Sequence, residues 1–226
     1  MKQYWTEPEL WPGATFAIFA GGPSLTPAQV DACRDRELGG SKVRTIAIND
    51  GYRLAPWADV LYFCDDKWWR WHHQKLADWG GLIVRMAGGH HDFGDARIKV
   101  LKNNDTAGLC EFRDGLNTGR NSGYQAINLA VHLGAKRILL LGYDMKGGPV
   151  ENGRVKTHWF GDHPGGTSPS VYSTMLPWFD SLLAPLVRRG VEIVNCTPGS
   201  EIRCFPLGKL DEILSQDQQD GIVRAA

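Results

Sequence analysis

The chain lacks several features that would each narrow its function at once. No apolar run approaches the roughly 20 residues needed to cross a bilayer. The opening residues, Met1-Lys2-Gln3-Tyr4-Trp5-Thr6-Glu7, lack the apolar core of a signal peptide. Neither sign of charge is in excess, with 25 Lys plus Arg against 25 Asp plus Glu, so no global field draws the protein to nucleic acid, although a local basic patch stays open. Cysteines number only five, an odd count without metal-ligand spacing, which reads as free thiols in a reducing compartment. There is no internal repeat. The expectation is a cytoplasmic protein with no membrane partner. Its oligomeric state is not legible.

What is present suits one globular domain. At 226 residues two complete domains would be cramped, and 42% hydrophobic with 22% charged residues is an ordinary balance for a packed core. The expected domain covers residues 1–214, with 215–226 a flexible tail. Nine tryptophans are many for this length, and Trp68, Trp69, Trp71, Trp79 and Trp159 lie in polar surroundings. Such indoles serve either to stack on sugars or bases, or to pack beneath loops.

Apolar strand-like runs alternate with helix-like segments, the pattern of a largely parallel sheet covered on both faces. Thr15 to Ala20 is a short continuous apolar run, followed by the turn Gly21-Gly22-Pro23-Ser24. Thr26-Pro27-Ala28-Gln29 then starts a helix with a capping box and a proline at the first helical position, predicted to run to about Arg36. Further strands are expected at Val43 to Asn49, Asp59 to Cys64, Leu82 to Met86, Ile98 to Leu101, Arg137 to Leu141 and Val191 to Cys196. The most hydrophobic of these, Arg137 to Leu141, is expected to be central. Helices are expected at Lys67 to Trp79, at Ser122 to Leu133, at Val171 to Arg189 (interrupted at Pro177 and Pro185) and at Leu207 to Leu214. Pro149 to Ser170 has no clear period and reads as a lid-like segment. The fold class is therefore α/β, a single Rossmann-like doubly wound domain with a largely parallel sheet and a lid.

In such sheets ligands bind beyond the carboxyl ends of the strands, where strand order reverses. Those ends carry Gly21-Gly22-Pro23-Ser24, Asn49-Asp50, Asp65-Asp66, Asn121-Ser122, Tyr143-Asp144 and Asn195-Cys196-Thr197, a row of small or polar residues. The glycine turn lets backbone amides approach a phosphate, Ser24 offers a hydroxyl, and the following helix adds its positive end. It is neither a full G-x-G-x-x-G nor a P-loop, and a tight turn with an ordinary cap accounts for it equally well. Asn49-Asp50 sits where related folds hold a ribose or base, or forms an Asx turn. Asp65 and Asp66 are the candidate ligands for a divalent ion. Lys67-Trp68-Trp69-Arg70-Trp71-His72-His73 interleaves bases with aromatics, which suits base stacking or a tryptophan face turned into the core. Of seven histidines, His90-His91-Asp92 and His158 with His163 are the candidate clusters for a metal, and neither has zinc-helix spacing. His158, within the lid, is suited to general-base work on a hydroxyl.

Taken together and in order, these segments resemble the bacterial family 42 sialyltransferases and the related MptE-like pterin pyrophosphokinases. The matching stretches are Phe19-Ala20-Gly21-Gly22-Pro23-Ser24-Leu25, Ile48-Asn49-Asp50, Asp59-Val60-Leu61-Tyr62-Phe63-Cys64, Asn121-Ser122-Gly123, Ile138 to Asp144 and Thr157-His158-Trp159-Phe160-Gly161. A weaker match follows at Cys196-Thr197-Pro198-Gly199-Ser200. The resemblance implies a nucleotide donor held by Gly21, Gly22, Pro23, Ser24, Asn49 and Ser122, and the candidate donor site also takes in Asp50, Gly123 and Asp144. It implies His158 as the base that deprotonates an acceptor hydroxyl. Two positions depart from the pattern: Gly21 replaces an asparagine that contacts the donor, and Lys146 replaces a tyrosine that contacts the departing phosphate. A lysine there would stabilise leaving-group charge.

The leading expectation is a nucleotide-dependent transferase, a glycosyltransferase with a nucleotide-sugar co-substrate and no resident cofactor, in which the Trp-rich elements grip sugar or base. The acceptor (glycan, small molecule or nucleic acid) is left open. The alternatives are a Mg2+-dependent diphosphokinase of the hydroxymethylpterin type, using Asp65, Asp66 or Asp144, and a nucleotide-binding module without turnover.

Overall fold

The computed structural model describes residues 4–6, 9–88, 93–151, 153–164 and 172–215. The His90-His91-Asp92 cluster and the expected tail beyond Ser215 lie outside these residues. Eight strands form one sheet: β1 (Ala14–Phe19), β2 (Arg44–Ile48), β3 (Val60–Phe63), β4 (Leu82–Met86), β5 (Ile98–Asn103), β6 (Gly115–Leu116), β7 (Ala135–Leu141) and β8 (Glu192–Asn195). Their order is β8-β7-β1-β2-β3-β4-β5-β6, and every pairing is parallel. The fold is the Rossmann-like doubly wound α/β sheet expected from the alternation of strand and helix patterns.

Alternation along β1 shows why both faces are covered. Phe16 and Ile18 pack with Tyr124 and Ile127 of the helix α3 (Ser122–His132), while Ala17 and Phe19 pack with Val30 of α1 (Pro27–Ala32) on the opposite face. The capping box at Thr26 and Gln29 is formed as read, with each residue bonding the other's backbone N–H. That helix stops at Ala32 rather than near Arg36. Asp35 takes a left-handed φ of 48°, and the chain turns into a small hairpin, Glu37–Leu38 against Ser41–Lys42.

Three other expectations change. Ala135–Leu141 is not the middle of the sheet but the second strand from one edge, and its apolar run reflects cover on both faces. The helix predicted over Lys67 to Trp79 is α2 (Asp66–His72), tightened to a 3-10 turn over His73–Leu76. The last long helix is broken into α4 (Tyr172–Met175), a 3-10 stretch Leu176–Leu182 and α5 (Leu183–Arg188), as the missing N–H of Pro177 would dictate. Within the lid-like segment, Val150–Glu151 pairs with Arg154–Val155 as a short hairpin. No helix among the described residues is long and apolar enough to cross a membrane.

Candidate functional site

The chain steps outward from β1 to β6 and then returns to place β7 against the other side of β1. Beyond the carboxyl ends at this switch point lies a cleft of about 460 Å3. Gly21, Gly22, Asn49, Ser122, Gly123, Asp144, Lys146 and His158 all line it, as does Asp65. Residues from six separate parts of the chain thus converge at the place that a doubly wound topology reserves for ligands. A larger hollow of about 730 Å3 lies between Ala28 and Ala32 of α1 and residues 195–212. Its charged residues are Lys209, Asp211 and Glu212, and Lys209 is already paired with Glu212 at 2.6 Å. The smaller cleft is chemically the richer of the two.

The glycine turn does something other than cradle an external phosphate. The Gly22 N–H donates to the Gly142 carbonyl at 2.9 Å. Ser24 donates its N–H to Asp144 Oδ1 at 3.1 Å and its hydroxyl to Asp144 Oδ2 at 2.9 Å. A Cβ at Gly22 would collide with the Asp144 carboxylate and the Gly142 carbonyl. The Ser24 donors assigned to a ligand phosphate therefore hold a carboxylate of the same chain, the Gly22 N–H goes to a backbone carbonyl, and neither Pro23 nor Ser24 lines the cleft. The helix end that does meet the cleft is that of α3, whose cap residue Asn121 accepts the Tyr124 N–H at 2.8 Å. Being eleven residues long, α3 brings a fuller dipole than the six-residue α1. At Gly123 a Cβ would sit 2.8 Å from the Tyr143 ring, so this first turn packs directly on the end of β7.

Burial raises the Asp144 carboxyl above its ordinary 3.8, while the Ser24 bonds and Lys146 pull it back. A carboxyl raised in the folded state contributes stability that is present below its unfolded pKa and lost as pH rises through the folded value. Asp144→Asn is accordingly expected to gain on the parent protein as pH rises from about 4 to 7. The check is the difference in Tm between the two proteins at each pH. A difference that stays flat, or that moves against the variant, contradicts the burial argument.

Asn49 ends β2 with a left-handed φ of 49°, a conformation asparagine tolerates better than most residues. Its Oδ1 is buried and without a hydrogen-bond partner. Lys146 stands 3.4 Å from Glu201, which Arg203 also engages. Arg120, with a φ of 60°, also lines the cleft and lays its guanidinium 5.8 Å from the centre of the Trp178 ring. Arg120 was missed in the sequence, although it directly precedes Asn121-Ser122-Gly123.

His158 reaches the site because the chain that follows the hairpin of Val150–Glu151 and Arg154–Val155 crosses the glycine turn. The Trp159 N–H donates to the Gly21 carbonyl at 3.2 Å, and a Cβ at Gly21 would meet the His158 ring at the same distance. The imidazole stacks on Phe160 at 4.8 Å and shares a 3.1 Å hydrogen bond between its Nδ1 and the Thr157 hydroxyl. Burial, reinforced by the neighbouring His163, pushes its pKa below the ordinary 6.5. At neutral pH the ring is uncharged and able to take a proton.

The remaining candidates fall elsewhere. Asp50 is 2% exposed and does not line the cleft; its Oδ2 accepts the Trp68 indole N–H at 2.9 Å. Asp66 is an ion-pair partner, 2.9 Å from the fully buried Arg85. Among the described residues no group of three or more His, Cys, Asp or Glu side chains is arranged to hold a metal ion. No tryptophan lines the cleft: Trp68 and Trp69 are buried with Phe63 in the core, the packing reading of that stretch. The aromatic side chains that do line it are Phe160, Tyr143 and Tyr172, joined by His163. All five cysteines are free thiols, and burial pushes Cys33 and Cys196 up to about 12. Comparison of the chain with protein-family models, with curated proteins and with solved structures gives no match to any of them.

Proposed function

We propose that the protein is a nucleotide-dependent transferase, and specifically a glycosyltransferase using a nucleotide-sugar donor. The observation that carries this reading is the convergence of Asn49, Ser122, Lys146 and an uncharged His158 on one cleft at the switch point. In this reading the donor's phosphates approach the first turn of α3, with Lys146 and Arg120 supplying positive charge. Asn49 offers a buried acceptor oxygen to a ribose hydroxyl or a base N–H. His158 removes the acceptor's proton as the acceptor oxygen bonds to the transferred group, and the leaving nucleotide phosphate takes the electron pair of the broken bond. The resemblance to family 42 sialyltransferases agrees with this division of labour, and Gly21 and Lys146 are where the donor would differ.

The diphosphokinase reading is the weaker one. It requires carboxylates that converge on Mg2+, and Asp66 is held by Arg85 while Asp144 is held by Ser24. The residues present do not fit that group.

A thermal-shift panel of CMP, UDP, GDP, ADP and nucleoside triphosphates, with and without Mg2+, tests the reading. A true donor nucleotide at about 100 times its Kd should add about 2.7 kcal/mol of stability. Stabilisation by no nucleotide across the panel would sink the proposal. Binding with no turnover against a wide set of acceptors would favour a non-catalytic nucleotide-binding module.

A further inference from the structure

The segment Thr197-Pro198-Gly199-Ser200-Glu201 lines no part of the cleft, yet it grips the chain that carries Lys146. The Tyr143 N–H donates to the Thr197 hydroxyl at 2.9 Å, and the Ser200 hydroxyl donates to the Tyr143 carbonyl at 2.6 Å. One residue further on, the Glu201 N–H donates to the Asp144 carbonyl at 2.9 Å. Thr197 and Ser200 are buried, so water does not compete for these bonds. Between Asp144 and Lys146, Met145 holds a left-handed φ of 52°, which a long side chain keeps only where its surroundings fix it. One segment thus sets the backbone on both sides of an ion pair. The side chains of that pair are not fixed in the same way. Lys146 donates to Glu201 Oε1 at 3.4 Å, and Arg203 donates to Oε2 at 3.1 Å. The Lys146 and Glu201 side chains are 44% and 37% exposed. Arg203, and after it Lys146, holds the Glu201 carboxyl below its ordinary 4.5, so it is ionised at neutral pH. Lys146 lines the cleft and Glu201 does not, so this carboxylate competes from outside with any anion inside.

We propose, resting on the transferase reading in which Lys146 meets the donor phosphate, that Glu201 is a specificity-determining residue of the donor site. It holds Lys146 until a phosphate displaces it, so the charge on a ligand decides whether the lysine engages. An exposed ion pair is weak enough to open for this exchange. The ammonium has three N–H donors, and a phosphate in the cleft offers them several charged oxygens in place of one. Opening strands no buried group, because Arg203 keeps its bond to Oε2 and the Glu201 side chain is open to water. A neutral nucleoside gives Lys146 nothing in exchange and leaves the pair closed. Glu201 thus gives up some affinity for every anion and gains discrimination against uncharged ligands.

Inorganic phosphate, titrated into the full chain at constant pH and ionic strength, is the probe. Glu201→Gln keeps the size of the side chain and removes its charge. It should bind phosphate about three- to fivefold more tightly than the parent, the scale of one exposed ion pair. In a Lys146→Gln background the same substitution should leave phosphate binding unchanged, because the competition runs through the lysine. A general loss of negative charge near the cleft would instead tighten binding in both backgrounds. Both substituted side chains are partly exposed, and a thermal melt checks that all four proteins are folded. Phosphate affinity that is unchanged or weaker in Glu201→Gln, or a gain of equal size without Lys146, overturns the role of Glu201 and leaves the donor site standing. Failure of all four proteins to bind phosphate or any nucleotide overturns the transferase reading and this proposal together.

Discussion

Replacing His158 with alanine is expected to lower turnover by about 10²–10⁴-fold while leaving nucleotide binding within a few-fold of the parent, the loss typical of a positioned general base. The ring is suited to this by its environment. It is packed on Phe160 and bonded at Nδ1 to Thr157, so its orientation is set before any substrate arrives. Because burial and His163 depress its pKa, the acid limb of kcat/KM should fall below pH 6.5, and the profile should be flat through neutrality on that side. His158→Gln is the useful companion, since it keeps most of the packing but cannot act as a base near neutral pH. Turnover measured with the nucleotide found in the thermal-shift panel, alongside its Kd, separates chemistry from binding. Full activity in the alanine variant, or equal losses in Kd and turnover, would show that the ring holds substrate rather than moves a proton.

The second large effect is on stability. Gly22→Ala should destabilise the fold by about 3 kcal/mol, a fall in Tm of roughly 10 °C for a chain of this size. The added methyl has nowhere to go. One neighbour is the backbone carbonyl of Gly142, fixed because Gly22 itself donates to it, and the other is the carboxylate of Asp144. Gly21→Ala supplies the contrast, because there the methyl meets the edge of the His158 ring at 3.2 Å, which can shift slightly, and Phe160 at an ordinary 3.6 Å. It should cost about 1 kcal/mol or less while disturbing activity more than stability. Equal Tm values for the two variants would mean that the Gly22 turn is looser than its hydrogen bonds imply.

Much of the fold was legible because its signals are periodic and local. Continuous apolar runs marked the buried strands, and Thr26 with Gln29 marked a helix start that the structure forms with both reciprocal bonds. Membership of the cleft was also legible, since parallel topology alone sends strand ends such as Asn49 and Asp144 to one edge of the sheet. What those side chains do there was not legible. Ser24 and Asp144 lie 120 residues apart, and nothing local says that one will hold the other. Asp50 adjoins Asn49 in sequence, yet the left-handed turn at Asn49 coincides with a parting of the two side chains, one at the cleft wall and the other buried beneath it. Tryptophans 68 and 69 could be read either way because their sequence neighbours are charged, and the helix settles it by turning those neighbours and the indoles to opposite sides. His163 was visible as a clustered histidine, but only the fold brings it near Asp50.

The return of β7 to the flank of β1 has a consequence during synthesis. A nascent chain that has emerged only through residue 133 carries β1 and the glycine turn but neither Asp144, Lys146 nor His158. The edge of β1 that β7 will occupy, with Phe16 and Ile18 beside it, is then open to any other extended segment. Parallel pairing across such a separation is slow, because the intervening loop must close before contacts reward it. The glycine turn is therefore completed late, when the strand that occupies this edge of β1 also brings the Asp144 carboxylate that holds it. That edge stays open until Ala135–Leu141 has been made.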